Sequence, residues 1–304
     1  MITRYTYKDL VWLDVESPTT NEVQQIIQEF DIDPLIAEEL LVPTLKSKVD
    51  LYKDFVYLIL HFPAIKHTYS TSPNQEIDFI IGKKFIITGR YDTIDPMHKF
   101  SKIFEVNSII DRSDIGEHAG MIFFYMIRKL YRALLHELEY IRTELGNTEE
   151  KMFKQKEVEV VKDLSEISRM LLNFEKQTSA HSDVLSSFDI AGRKLFGDEF
   201  TYHLRAISSE YYKVKHAIDS EREFLRELRE TNNSLLSTKQ NEVMKVLTIM
   251  AFMTFPLSLI AAIFGMNTEY LPIVGLPYDF WIVMGIIGTT ILSMLTYFRY
   301  KKWI

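Results

Sequence analysis

Two long apolar runs close the sequence and restrict what the rest of it can be. From Val246 to Phe264, and again from Phe280 to Phe298, 19 residues pass without a charge. At about 1.5 Å of rise per residue, either run spans roughly 28 Å as a helix, close to the ~30 Å hydrocarbon core of a bilayer. Such a pair is either a membrane hairpin on a soluble body or a hairpin of core helices inside one. The average composition does not separate the two, because 47% apolar and 25% charged residues over 304 positions are ordinary for a soluble protein. The concentration of apolar residues in the last sixty or so favours the membrane.

Flanking charges then give an orientation. Lys239 and Lys245 precede the first run, and Arg299, Lys301 and Lys302 follow the second. The connection from Gly265 to Asp279 has no Lys or Arg and two acids, Glu269 and Asp279. The positive-inside rule puts both termini in the cytoplasm and this loop outside. The opening MITRYTYKDLVWLDVES lacks the basic start and apolar core of a cleaved signal, so the expected location is the plasma (inner) membrane. The net charge of -7 gives no general pull toward nucleic acid. With no cysteine there is no disulfide, Cys-ligated zinc or thiol catalysis, and the eight histidines are scattered, with no phosphate-binding glycine loop. An enzyme is not expected.

The first 115 residues read as an α+β domain. Leu10–Val15 is a strand ended by Ser17-Pro18, and Thr20 caps a helix through Phe30. Asp33-Pro34 opens a second helix, Phe55–Leu60 is a strand, and Ile77–Thr88 is a hairpin turning at Gly82-Lys83-Lys84. Residues 116–195 read as a helical hairpin, with 121–152 and 158–190 in helical periodicity and Gly192 with Gly197 marking a break. From 196 to 264 Pro256 is the first Gly or Pro after Gly197, so a stalk helix of about 65 residues and roughly 100 Å continues into the first span. An external loop (265–279), a second span (280–298) and a basic tail (299–304) complete the chain.

Two helices cannot enclose a water-filled path, so a pore needs several copies of the chain. Steps of three and four from Asn241 give Met244, Thr248, Ala251, Phe255, Ser258, Ala262 and Gly265, a stripe with hydroxyls at two levels. The other face, including Val246, Ile249, Met253, Leu257 and Ile260, is apolar and suits lipid or the second span. The hydroxyls equally suit bonds to their own helix backbone.

Directly after the first span comes Gly265-Met266-Asn267, followed by Thr268-Glu269-Tyr270-Leu271-Pro272. Here the sequence resembles the CorA family of magnesium channels, whose hallmark is Gly-Met-Asn at this position. Asn241–Thr248, Pro256 and the ending Lys301-Lys302-Trp303-Ile304 resemble the corresponding family segments; Trp12-Leu13-Asp14, Pro34–Leu40 and Lys48-Val49-Asp50 resemble its N-terminal domain.

The resemblance implies a funnel-shaped homo-oligomer, a pentamer, with a ring of Gly265, Met266 and Asn267 as selectivity site and Asn267 as the ion contact. Mg2+ surrenders its water shell reluctantly, so neutral carbonyls that bind the hydrated ion suit it. Repeated Glu269 and Asp279 would concentrate cations at the mouth, and Met244, Leu247 and Phe255 would form an apolar gate. Co2+ or Ni2+ are further cargoes. The zinc branch has Ile at the middle motif position, so Met266 favours Mg2+. A non-conducting metal sensor remains the rival of another class. Some members bind regulatory Mg2+ between aspartates of neighbouring subunits. Here Ala206 and the acid-free 62–66 segment stand at those positions, so that site is expected to be absent or moved, for example to Asp219, Glu221 or Glu223.

Overall fold

A computed structural model describes residues 1–64, 74–91, 94–110, 118–154, 157–267 and 271–303. The chain divides into two units, residues 1–229 and 230–304.

The first unit is built on a six-stranded sheet. Its strands are β1 (Ile2–Tyr7), β2 (Leu10–Glu16), β3 (Lys48–Leu51), β4 (Phe55–Pro63), β5 (Asn74–Gly82) and β6 (Phe85–Arg90), in the order β1-β2-β6-β5-β4-β3. Only β2 and β6 pair in parallel, with Trp12 opposite Ile86. The unbroken apolar run of β4 reflects burial on both faces. Val56, Leu58 and Leu60 enter one core, with Trp12, Phe79 and Ile86; Phe55, Tyr57 and Ile59 enter the other, with Leu13, Ile80 and Ile87.

Helices α1 (Thr20–Phe30) and α2 (Pro34–Leu41) cover the second face through Val23, Ile26, Ile36 and Leu40. The first face carries α3 (Asp95–Ile110), α4 (Ala119–Phe153), α5 (Glu157–Thr178), α6 (His181–Phe196) and the first turns of α7 (Thr201–Phe264). Trp12 and Asp14 explain themselves on that face. Trp12 Nε1 donates to Thr88 Oγ1 at 3.0 Å, Thr88 donates to Asp14 at 2.8 Å, and Arg90 pairs with Asp14 at 3.1 Å. This chain of bonds ties the parallel strands together and satisfies the polar groups it buries.

Three local expectations are corrected. Thr19, not Thr20, caps α1: Glu22 N–H donates to Thr19 Oγ1, and Thr19 N–H donates back to the Glu22 carboxylate at 2.9 Å. That reciprocal pair needs an acid three residues on, and Thr20 has Val23 there. The 158–190 helix is broken at Ser179-Ala180, where Thr178 and Ser179 hydroxyls turn back onto the Phe174 and Lys176 carbonyls. Gly192 does not break α6; it packs against Leu204, and Gly197, at φ 91°, ends the helix. Strands β1 and β3 and helix α3 had no counterpart in the sequence reading.

The second unit holds the rest of α7 and α8 (Asp279–Tyr300). α7 runs 64 residues without interruption, Pro256 included. The most apolar windows of the two helices are 6% and 0% buried, which removes the soluble core hairpin. Shielding falls on one stripe of each: Ile249, Met253, Leu257, Ile260 and Phe264 on α7, and Val283, Ile287, Ile291, Met294 and Phe298 on α8. Aromatic residues mark both ends of α8, with Tyr278, Phe280 and Trp281 at one and Tyr297, Tyr300 and Trp303 at the other, as at two membrane interfaces.

Candidate ion-conducting site

The expected pore stripe lies largely in the uncovered part of α7, which also includes Val246, Met250 and Ile263 of the other face. Asn241, Met244, Leu247, Phe255 and Ser258 are exposed, Phe255 at 72%, while Thr248 is half-buried. Thr248 Oγ1 donates to the Met244 carbonyl at 2.7 Å, so its hydroxyl serves its own helix. Pro256 has no N–H to offer the Phe252 carbonyl. Two residues earlier, Thr254 Oγ1 donates to the carbonyls of Met250 and Ala251 at 2.9 and 3.3 Å.

α7 stops at the motif. Gly265 N–H donates to the Ala261 carbonyl at 2.9 Å, and Met266 N–H donates to Ile263 at 3.3 Å, tightening the last turn. A Cβ on Gly265 would stand 3.1 Å from the Ala261 oxygen, so glycine serves close approach there. Met266 and Asn267 follow, both exposed. The C-terminal carbonyls of a helix carry a partial negative charge, so this end favours a cation. That contribution comes from backbone direction, which no motif spells out.

Glu269 lies outside the described residues. Asp279 is engaged locally: its carboxylate accepts from Gly275 N–H at 3.2 Å and Phe280 N–H at 2.7 Å, closing the loop onto the start of α8. It therefore stands at the loop's inner end, with its oxygens directed to backbone donors.

Of the alternative regulatory acids, Asp219 and Glu223 line one surface cavity together with Arg222, Arg226 and Arg229. Glu221 is buried and faces Arg142 at 3.9 Å, and burial raises its pKa against the opposing pull of that arginine. Glu223 pairs with Arg226 at 2.7 Å, and Arg222 pairs with Glu175. Ala206 packs against the core of the first unit, and Ile65 and Lys66 lie outside the described residues. Among the described residues no three His, Asp or Glu side chains gather to hold a metal.

A mixed-sheet domain, an unbroken helix that leaves it, and a second apolar helix after an exposed Gly-Met-Asn define a two-span membrane transporter. The family model of CorA-like Mg2+ transporter proteins matches residues 7–302, and the chain belongs to that family, whose members move ions and are not enzymes. It is 26% identical over 297 residues to the "Cobalt/magnesium transport protein CorA" of Thermotoga maritima, covering 96% of this chain and 83% of that one. The complete structure of the CorA magnesium transporter from Methanocaldococcus jannaschii superimposes with a TM-score of 0.85 at 21% identity, covering 97% of this chain and 92% of that one. The full-length CmaX protein shares the fold at a TM-score of 0.74 and 15% identity, over 97% of this chain and 89% of that one.

Proposed function

We propose that this chain is one subunit of a homo-oligomeric channel, a pentamer by family resemblance, that admits Mg2+ to the cytoplasm across the plasma membrane. The observation that carries the reading is the end of α7, where the helix delivers its carbonyl terminus to an exposed Gly265-Met266-Asn267. Repeated around an axis, Gly265 backbone and Asn267 side-chain oxygens accept hydrogen bonds from a hydrated divalent ion and release it again. Met244, Leu247 and Phe255, exposed on the same helix, form the apolar constriction below, and Asn241 and Ser258 supply its polar levels. Glu269 and Asp279 add negative charge at the mouth. Lys301 and Lys302 hold the cytoplasmic end.

The driving force is the membrane potential, about 2.3 kcal/mol per charge per 100 mV and twice that for a divalent ion. Co2+ is a second cargo, in line with the name of the T. maritima relative.

The test is flux into proteoliposomes holding a Mg2+-sensitive dye, comparing the intact protein with Asn267→Ala. Influx that is lost in the variant supports the channel and its filter. Entry of Zn2+ or Ni2+ without Mg2+ moves the protein to transition-metal transport, and silence for every ion makes it a sensor.

A further inference from the structure

The first unit contains a cavity of about 660 Å³ between the segment after α2 and the α5–α6 break. Lys46 and Ser47 come from the first side, Lys176, Gln177 and Ser179 from the second, and His61 with Glu76 from the sheet between them. Its size is that of small-molecule sites, which run from about 300 to 1,000 Å³.

The charges in this wall decide what it can hold. Glu76 is its one acid, and both carboxylate oxygens are already engaged. They accept from Thr44 N–H at 3.0 and 2.8 Å and from Thr44 Oγ1 at 3.1 Å, and they face His61 Nε2 at 3.1 Å. Ser47 Oγ is held by His61, and Ser179 Oγ donates to the Lys176 carbonyl. The two ammonium groups are different. Lys46 and Lys176 are both exposed, and neither Nζ has an ion pair or hydrogen bond among the described residues. Burial lowers the pKa of His61, but its bonds to Glu76 and to the Thr44 carbonyl outweigh burial and raise it, so Glu76 is engaged by His61 as well as by Thr44. Two exposed cations without a protein counter-charge therefore stand at the rim of this cavity, in a chain whose net charge is -7. A metal ion is disfavoured here by sign.

We infer that this cavity binds a phosphate-bearing anion of up to nucleotide size, gripped between Lys46 and Lys176. Ammonium groups hold phosphate oxygens as point charges, without the planar fork of arginine, so the grip is charge-selective and tolerant of shape. Phosphate chains also bind Mg2+. A site with excess positive charge prefers the metal-free chain to its Mg2+ complex, so its occupancy falls as cytoplasmic Mg2+ rises. The site is remote in sequence from Gly265–Asn267 and stands or falls apart from conduction.

The experiment is calorimetric titration of the full chain in detergent, in Mg2+-free buffer, with ATP, tripolyphosphate and inorganic phosphate. Expected is one site per chain for ATP, weakened at least about tenfold in Lys46→Gln/Lys176→Gln and weakened by added salt. The control pair Lys99→Gln/Lys129→Gln, which removes the same charge from exposed positions elsewhere, should bind as the unaltered chain does. ATP binding matched by tripolyphosphate identifies the phosphate chain as the ligand; ATP binding without it adds the nucleoside. Either supports the site. No binding of any probe, equal weakening by the control pair, or tighter binding of ATP when Mg2+ is added would each overturn it. Thermal midpoints of both double variants, recorded alongside, tell lost binding from lost folding.

Discussion

His61 and Glu76 are direct partners in the β4–β5 register, with Nε2 3.1 Å from the carboxylate. Around this pair the segment after α2 is fastened to the sheet, because Thr44 and Ser47 both bond to it. Glu76→Gln replaces a charged acceptor by a neutral one and leaves His61 without its counter-charge. The expected loss is about 1–3 kcal/mol in urea-induced unfolding of the first unit. The pH dependence has a definite sign. The native His61 pKa is raised above 6.5, so its contribution is complete below pH 6.5 and fades as pH rises through the native value. In Glu76→Gln that fading should shrink, because only the Thr44 carbonyl still favours the charged ring; a variant with the full alkaline dependence would show that another group carries it.

His181 has the opposite sign. It is wholly buried, accepts from Tyr131 OH through Nδ1 at 3.0 Å, and donates from Nε2 to the His61 carbonyl at 2.8 Å. Burial pushes its pKa down to about 4, against the pull of the His61 carbonyl. The unfolded chain takes up a proton near pH 6.5 and the native chain only near 4, so acid favours unfolding across that window. At about 1.4 kcal/mol per pH unit the loss is of order 3 kcal/mol. His181→Gln keeps a donor for the carbonyl and removes the titration. Its stability relative to the unaltered chain should therefore improve steadily from pH 6.5 toward 4, and a constant difference would sink the assignment.

What could be read in advance follows from how local each signal is. The uncharged runs announce α8 and the end of α7 because lipid-facing helices need no partner residue to be recognised. Strand β1 had no such signal. Its sequence, Ile2-Thr3-Arg4-Tyr5-Thr6-Tyr7, has no clean apolar alternation, it is half-exposed, and pairing with β2 makes it a strand. The α5–α6 break is equally non-local, since His181 is drawn to a carbonyl 120 residues away. At the ion site the residue types were legible as a motif. The covering of Thr248, and the engagement of Asp279 with Gly275, depend on backbone geometry that residue spacing does not encode.

Gly146 lies inside α4 on its exposed side, with nothing within 4 Å of where a Cβ would stand. Glycine there costs backbone entropy and contributes no packing. Gly146→Ala should raise stability by roughly 0.5–1 kcal/mol, read as a higher urea midpoint with an unchanged slope. Destabilisation would mean that another surface occupies that space in the assembled protein.

Asp279 allows its two roles to be separated. Asp279→Asn keeps an acceptor for Gly275 N–H but removes the charge, whereas Asp279→Ala removes both. If loop closure is its main work, the Asn variant should conduct and melt nearly as the unaltered protein does, with the Ala variant lower in melting temperature. A charge near a helix start is worth only about 0.3–1 kcal/mol. If charge at the mouth governs entry, both variants should lose flux equally at low external Mg2+ and recover at high concentration.

Gly265 gives the sharpest test of the filter. Its φ lies outside the left-handed region, so alanine is acceptable to the backbone and only space is at issue. The added methyl would approach the Ala261 carbonyl to 3.1 Å, forcing a shift of a few tenths of an ångström in the last turn of α7. A packing adjustment of that size costs about 1 kcal/mol or less where the chain beyond is exposed. Thermal midpoint in detergent should thus barely change. Asn267, two residues on, moves with the turn, and a site that holds an ion through its water shell depends on oxygens placed to about 0.5 Å. Mg2+ flux in Gly265→Ala should fall by about tenfold, the equivalent of 1.4 kcal/mol in a rate-limiting barrier. Undiminished flux would mean that the close approach at Gly265 does not set the ion site, leaving Asn267→Ala to decide whether the ion is recognised at the end of α7.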